Sequence, residues 1–127
     1  MNTFLALKTL HLLGAAVLLG TGAGIAYFQW TAYRSRDLSA IRVTTRRVVR
    51  ADWLFTTPAV LIQPATGIAM MSIAGHSYAS TWFAIVSCLY LAIGACWIPV
   101  VVIQARVARV AAAADSYAAL PPAFHRD

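Results

Sequence analysis

Three apolar stretches dominate this sequence, and only an arginine-rich segment and a short polar turn separate them. They run at roughly 4–33, 48–74 and 81–104. About 20 helical residues cross the hydrocarbon core of a bilayer, so each stretch is long enough to do so. A soluble alternative fails on composition: 61% of the 127 residues are hydrophobic and 11% charged, against about 25% charged in soluble domains. A chain this short keeps much of its surface wet, and lipid is the natural solvent for the excess. The sequence therefore predicts an all-α fold, a single-domain polytopic membrane bundle with three transmembrane helices and a tail over 105–127.

The first stretch is not a secretory leader, because Lys8 and His11 interrupt its early part and the apolar run continues to Trp30. Pro58 and Pro64 in the second stretch and Pro99 in the third predict kinks, which membrane helices tolerate when neighbours satisfy the freed carbonyls. Gln63, just before Pro64, is expected to bond such carbonyls. Gly75 to Ser80 forms an uncharged turn, with Tyr78 and Trp82 as interfacial anchors.

The net charge of +6 is concentrated in Arg34, Arg36, Arg42, Arg46, Arg47 and Arg50, against Asp37 and Asp52. Such a cluster suits acidic lipid or nucleic acid, but between apolar spans it reads as a topological signal. No nucleic-acid partner is expected. Arg106 and Arg109 fall on the same side as this loop if there are three crossings. The positive-inside rule then places the 34–50 loop and the C-terminus in the cytoplasm of a bacterial inner membrane, with the N-terminus and the His76 turn outside.

Cys88 and Cys96 stand eight residues apart, about 12 Å along a helix, beyond the roughly 7 Å a disulfide allows. Gly20-Thr21-Gly22-Ala23-Gly24 follows no strand and lacks the Lys-Ser/Thr ending of a phosphate loop. Gly20 and Gly24 instead have the G-x-x-x-G spacing of close helix packing.

Helical spacing gathers the polar and small residues of each span on one face. The first face holds His11, Gly14, Leu18, Gly22, Ile25 and Gln29. The second holds Asp52, Thr56, Ala59, Gln63, Gly67 and Met70, and the third Ser87, Tyr90, Gly94, Trp97 and Gln104. Polar groups are costly in hydrocarbon, so these faces are expected to turn towards one another. For Asp52 the expected role is a salt bridge to Arg46, Arg47 or Arg50, with proton carrying as the alternative. Two roles are open to His11: a hydrogen bond to a neighbouring helix, or axial ligation of haem iron. Gly14 and Gly22 on its face leave room for a flat cofactor, and Met70 lies at a roughly comparable depth, though no second axial ligand is obvious. His76 and His125 lie elsewhere. Neither a zinc-ligand spacing nor a nucleophile–base–orienter set can be assembled.

Lys8-Thr9-Leu10-His11, Ala51-Asp52-Trp53-Leu54-Phe55-Thr56-Thr57-Pro58, Gln63-Pro64-Ala65-Thr66-Gly67, Gly94-Ala95-Cys96-Trp97-Ile98-Pro99-Val100 and Leu120-Pro121-Pro122 resemble the bacterial integral membrane proteins of the domain of unknown function 2269 family. The resemblance covers nearly the whole chain and implies no established activity. That family usually continues into a fourth helix after the Pro-Pro linker, a helix absent from this chain, which implies either a shortened sequence or a wall supplied by a partner. More distantly, K-x-L-H and the T-P-A…G pattern are similar to the haem-containing membrane protoporphyrinogen oxidases. That likeness implies b-type haem on His11 alone. The lysine of that group's third helix has no counterpart here, and Gln29 and Trp30 stand where a further histidine is expected. The leading expectation is a non-catalytic accessory subunit or assembly component with a membrane-protein or homo-oligomer partner. The alternative is a b-type haem redox protein with His11 as axial ligand.

Overall fold

A computed structural model describes residues 2–125. Four helices carry the fold: α1 (Thr3–Ser35), α2 (Leu38–Ala51), α3 (Thr57–Ala74) and α4 (Thr81–Ala113). A π-helical turn, Asp52–Thr56, joins α2 to α3, and two short 3-10 turns, Tyr117–Ala119 and Pro122–His125, follow α4. No strand occurs among the described residues. Three helical rods are long and apolar enough to cross a membrane: Thr3–Ser35, the continuous 37-residue run Leu38–Ala74, and Thr81–Ala113. Each is roughly 50 Å long at 1.5 Å per residue, against a hydrocarbon core of about 30 Å. Every rod therefore projects well beyond the lipid tails.

Much of that projection is at the arginine-rich end. The 34–50 segment, expected as a loop, is mostly helix α2. Asp37 caps it by accepting from the Ser39 amide at 2.9 Å, and arginine is a good helix former. Ile41, Thr45 and Val48 fall on one buried stripe while Arg42, Arg46, Arg47 and Arg50 stay exposed. Likewise α4 runs on past Gln104 to Ala113, because Ala111 is fully buried against α2 while Arg106 and Arg109 face outward. Ala32, Ile41, Ala111 and Leu120 form a small apolar core at this end. Arg42 fastens it, its Nε donating to the Ala111 carbonyl at 2.9 Å and its Nη2 to the Ala114 carbonyl at 2.5 Å. Those are carbonyls at the C-terminus of α4 that the helix itself leaves open.

The α1–α2 connection is tight: Arg36 takes a left-handed conformation (φ 54°) and its amide donates to the Tyr33 carbonyl at 3.3 Å. At the opposite end Gly75, at φ 67°, closes α3, and the His76 amide donates to the Met71 carbonyl at 3.1 Å. Ser80 then caps α4 by accepting from the Phe83 amide. Tyr78 and Trp82 are exposed beside this turn.

The three polar faces turn inward as periodicity requires. Asp52, Thr56, Ala59, Gln63 and Gln104 are buried, and all the other residues of the three faces are half-buried except Gly22, which is exposed. Leu19 (77% exposed) and Leu91 (70%) represent the outward faces, which lipid covers.

Candidate functional site

The polar interior has two zones. The first lies about 12 Å along α1 from its start at Thr3 and is organised by His11. Its Nδ1 is 2.8 Å from Thr66 Oγ1 on α3. The Thr66 hydroxyl lies 2.8 Å from the Ile62 carbonyl and 3.1 Å from that of Gln63, so its own proton goes to the backbone and it accepts from His11 Nδ1–H. That assignment, made from the network, leaves a lone pair on Nε2. Gln63 Nε2 donates to the His11 carbonyl at 2.8 Å. Gly14 and Gly67 let the two backbones approach. A Cβ on Gly14 would stand 2.9 Å from Gln63 Nε2, and one on Gly67 would stand 3.5 Å from His11 Cε1.

Proline explains a third contact. Pro64 has no N–H, so the Val60 carbonyl four residues earlier loses its helical donor. Gln63 was expected to take it. Instead the Tyr90 hydroxyl of α4 donates to Val60, because Gln63 turns towards α1 and only a side chain from across the bundle reaches that carbonyl. The proline spacing was the signal that a donor was needed there.

The second zone surrounds the π turn. Pro58 lacks an N–H and its ring crowds the preceding turn, and the turn just before it is the one that widens. The Thr57 Oγ1 donates to the Asp52 carbonyl at 3.0 Å. Asp52 is 4% exposed, Thr56 5% and Gln104 8%. Thr56 Oγ1, Gln104 Oε1, Gln29 Oε1 and Trp97 Nε1 are buried without a hydrogen-bond partner among the described residues. Gln29 Nε2 is engaged with the Tyr33 hydroxyl at 2.5 Å. The salt bridge expected for Asp52 does not form: among the described residues no cation closes on it, since Arg46, Arg47 and Arg50 point outward.

Of the residues singled out for a cofactor, His11 and Gly14 belong to one contact. Gly22 lies about 16 Å further along α1, and Met70 is half-buried one turn beyond Thr66 towards the His76 turn. A haem needs an axial nitrogen and a pocket. His11 Nε2 meets the first need, with its ring oriented through Nδ1 as metal-binding histidines are. The space at Gly14 is filled by the Gln63 amide. The recess beside it, lined by Leu10, Leu13, Val17, Leu54, Phe55 and Ile62 among others, holds about 230 Å³, below the roughly 300–1,000 Å³ of ligand pockets. That recess is therefore too small for a haem. No group of three His, Cys, Asp or Glu side chains comes together among the described residues.

Long apolar rods, polar groups turned inward and arginines gathered at one end define an integral membrane protein with multiple spanning helices. Sequence comparison narrows this: residues 5–127 match the family described as predicted integral membrane protein, domain of unknown function 2269, and the chain belongs to that family. No curated protein and no solved structure matches it.

Proposed function

We propose that the protein is a non-catalytic component of a larger assembly in a bacterial inner membrane, held to its partner or to a second copy of itself through α1. One observation carries this reading. Ala16, Gly20 and Gly24 recur every fourth residue on α1, the spacing at which helix backbones approach closely in lipid. Yet among the described residues a Cβ on Gly20 or Gly24 would meet nothing within 4 Å, which leaves room there for a neighbouring helix. The His11 contact points the same way, because its hydrogen bonds join α1 to α3 and assemble no nucleophile–base set. In this reading the arginine-rich end, where Arg34 also stacks 5.2 Å over Trp30, faces the cytoplasm, and the His76 turn faces outward.

The test is to replace Gly20 and Gly24 together by leucine and to extract the protein from native membranes in a mild detergent. Among the described residues nothing stands within 4 Å of a Cβ at either position, so the helical fold is expected to survive the change, as circular dichroism would show. Native mass spectrometry is expected to show the wild type in a larger complex and the double variant as a single chain. A wild type that is already a single chain in membrane nanodiscs would sink the proposal.

A further inference from the structure

Three arginines of α2 are answered by nothing inside the chain. Arg46, Arg47 and Arg50 are exposed, and among the described residues none of them holds a hydrogen bond or an ion pair. Other cations of this end are occupied, Arg42 on the Ala111 and Ala114 carbonyls and Arg34 over Trp30. Asp52, the nearest carboxylate in sequence, is buried and continues the inward stripe of Ile41, Thr45 and Val48. Membrane topology asks only that such charges lie on one side of the bilayer. It does not ask that they stand over a groove.

Steps of four from Arg50 lead to Leu54, Pro58 and Ile62, which all line the recess between α1 and the second rod. Four residues make slightly more than one turn of α-helix and slightly less than one of the wider π-helix. The ridge therefore passes through the π turn without leaving its face. Arg46 and Arg47 flank the same ridge one turn further out. Leu54 lies about 6 Å from Arg50 towards the His76 turn and Ile62 about 18 Å, at 1.5 Å per residue. On α1 the recess is bounded by Leu10, Leu13 and Val17, and its lining is almost wholly apolar. Leu13, Leu54 and Phe55 are exposed, so it opens to the lipid.

Two tryptophans mark the depth. His11 meets Thr66, and Ala32 shares the small apolar core with Ile41, so Trp30 comes within about a turn of the level of Arg46. Trp53 stands one turn from Arg50 on the other side, and both indoles are exposed. Exposed tryptophan settles among lipid headgroups. The arginines thus lie at the level of the phosphates, and the recess at the level of the chains of the same lipids.

We propose that Arg46, Arg47, Arg50 and this recess form a site for one anionic phospholipid, its phosphate held by the arginines and one acyl chain laid along Leu54, Pro58 and Ile62. The guanidinium fork matches phosphate, and basic groups beside spanning helices favour headgroups of net negative charge. Too small for a haem, the recess suits a stretch of one thin chain. Its lining does not include Gly20 or Gly24, so the site does not depend on the assembly reading.

The full chain, purified in mild detergent, is titrated with dioleoylphosphatidylglycerol or dioleoylphosphatidylcholine, and bound lipids are counted by native mass spectrometry. One phosphatidylglycerol is expected to be retained at roughly tenfold lower concentration than phosphatidylcholine. Glycerol phosphate, which has no chains, is expected not to displace it. Arg47→Gln combined with Arg50→Gln should weaken retention by about tenfold or more. Val17→Trp, which fills the recess and leaves every arginine in place, should do the same, with Leu13→Trp as the second recess variant if the first does not fold. Arg106→Gln combined with Arg109→Gln removes the same charge from the same end, on α4, and should leave retention intact. All these side chains are exposed, and circular dichroism checks that each variant keeps its helices. Equal retention of the two lipids, displacement by glycerol phosphate, or retention that survives the α2 or the recess substitutions overturns the proposal. An equal loss in the α4 variant overturns it too, by showing attraction through net charge alone.

Discussion

His11, Gln63 and Gly14 show how three residues close two membrane helices on each other. The Gln63 amide reaches the His11 carbonyl through the space a side chain at position 14 would fill. Gly14→Ala should therefore cost about 1 kcal/mol by displacing that hydrogen bond. In a Gln63→Ala background the same substitution should be close to neutral, since the obstacle is gone. A double-mutant cycle on detergent-unfolding free energies measures the coupling, and an additive cycle would contradict the contact. Helical spacing alone puts His11, Gly14 and Gln63 on inward faces. It did not pair them, because a face specifies a direction and not the neighbour met there. The same limit explains why Tyr90, rather than Gln63, satisfies Val60.

Among the elements, α2 departs most from its expected form. Its arginines mark one side of a membrane whether they lie in a loop or a helix, so charge counting is blind to the difference. The stripe of Ile41, Thr45 and Val48 and the cap at Asp37 are the local signals for a helix, and both were legible at positions read only for charge. Asp37→Ala should cost about 1 kcal/mol, the usual loss of an N-cap. Hydrogen exchange should quicken first at the Ser39 amide that Asp37 holds, with the middle of α2 unchanged. Unaltered exchange at Ser39 would show that the cap contributes nothing. The π turn was less legible: Pro58 and Pro64 both announce a disturbance, but only packing against the other rods decides which one widens the helix and which one is spanned by a tyrosine.

For the whole molecule, three crossings put the α1–α2 turn and the end of α4 on one side and the His76 turn on the other. Cys88 and Cys96 sit on the outward faces of α4 and can be replaced by alanine. Single cysteines at Arg46, Ser77 and Ser116 should then split in labelling by a membrane-impermeant maleimide on sealed vesicles, Ser77 opposite to the other two. Labelling of all three from one side would remove the three-crossing arrangement. Span number, helical class and the inward direction of the polar faces were determined by the sequence alone, because hydropathy and the 3.6-residue period act along a single helix and need no partner. The joining of His11 to Thr66, the clamp of Arg42 on the end of α4 and the isolation of Asp52 from its neighbouring arginines were decided only by the tertiary structure. Each depends on the register and rotation of one rod against another, which packing sets and no single helix contains.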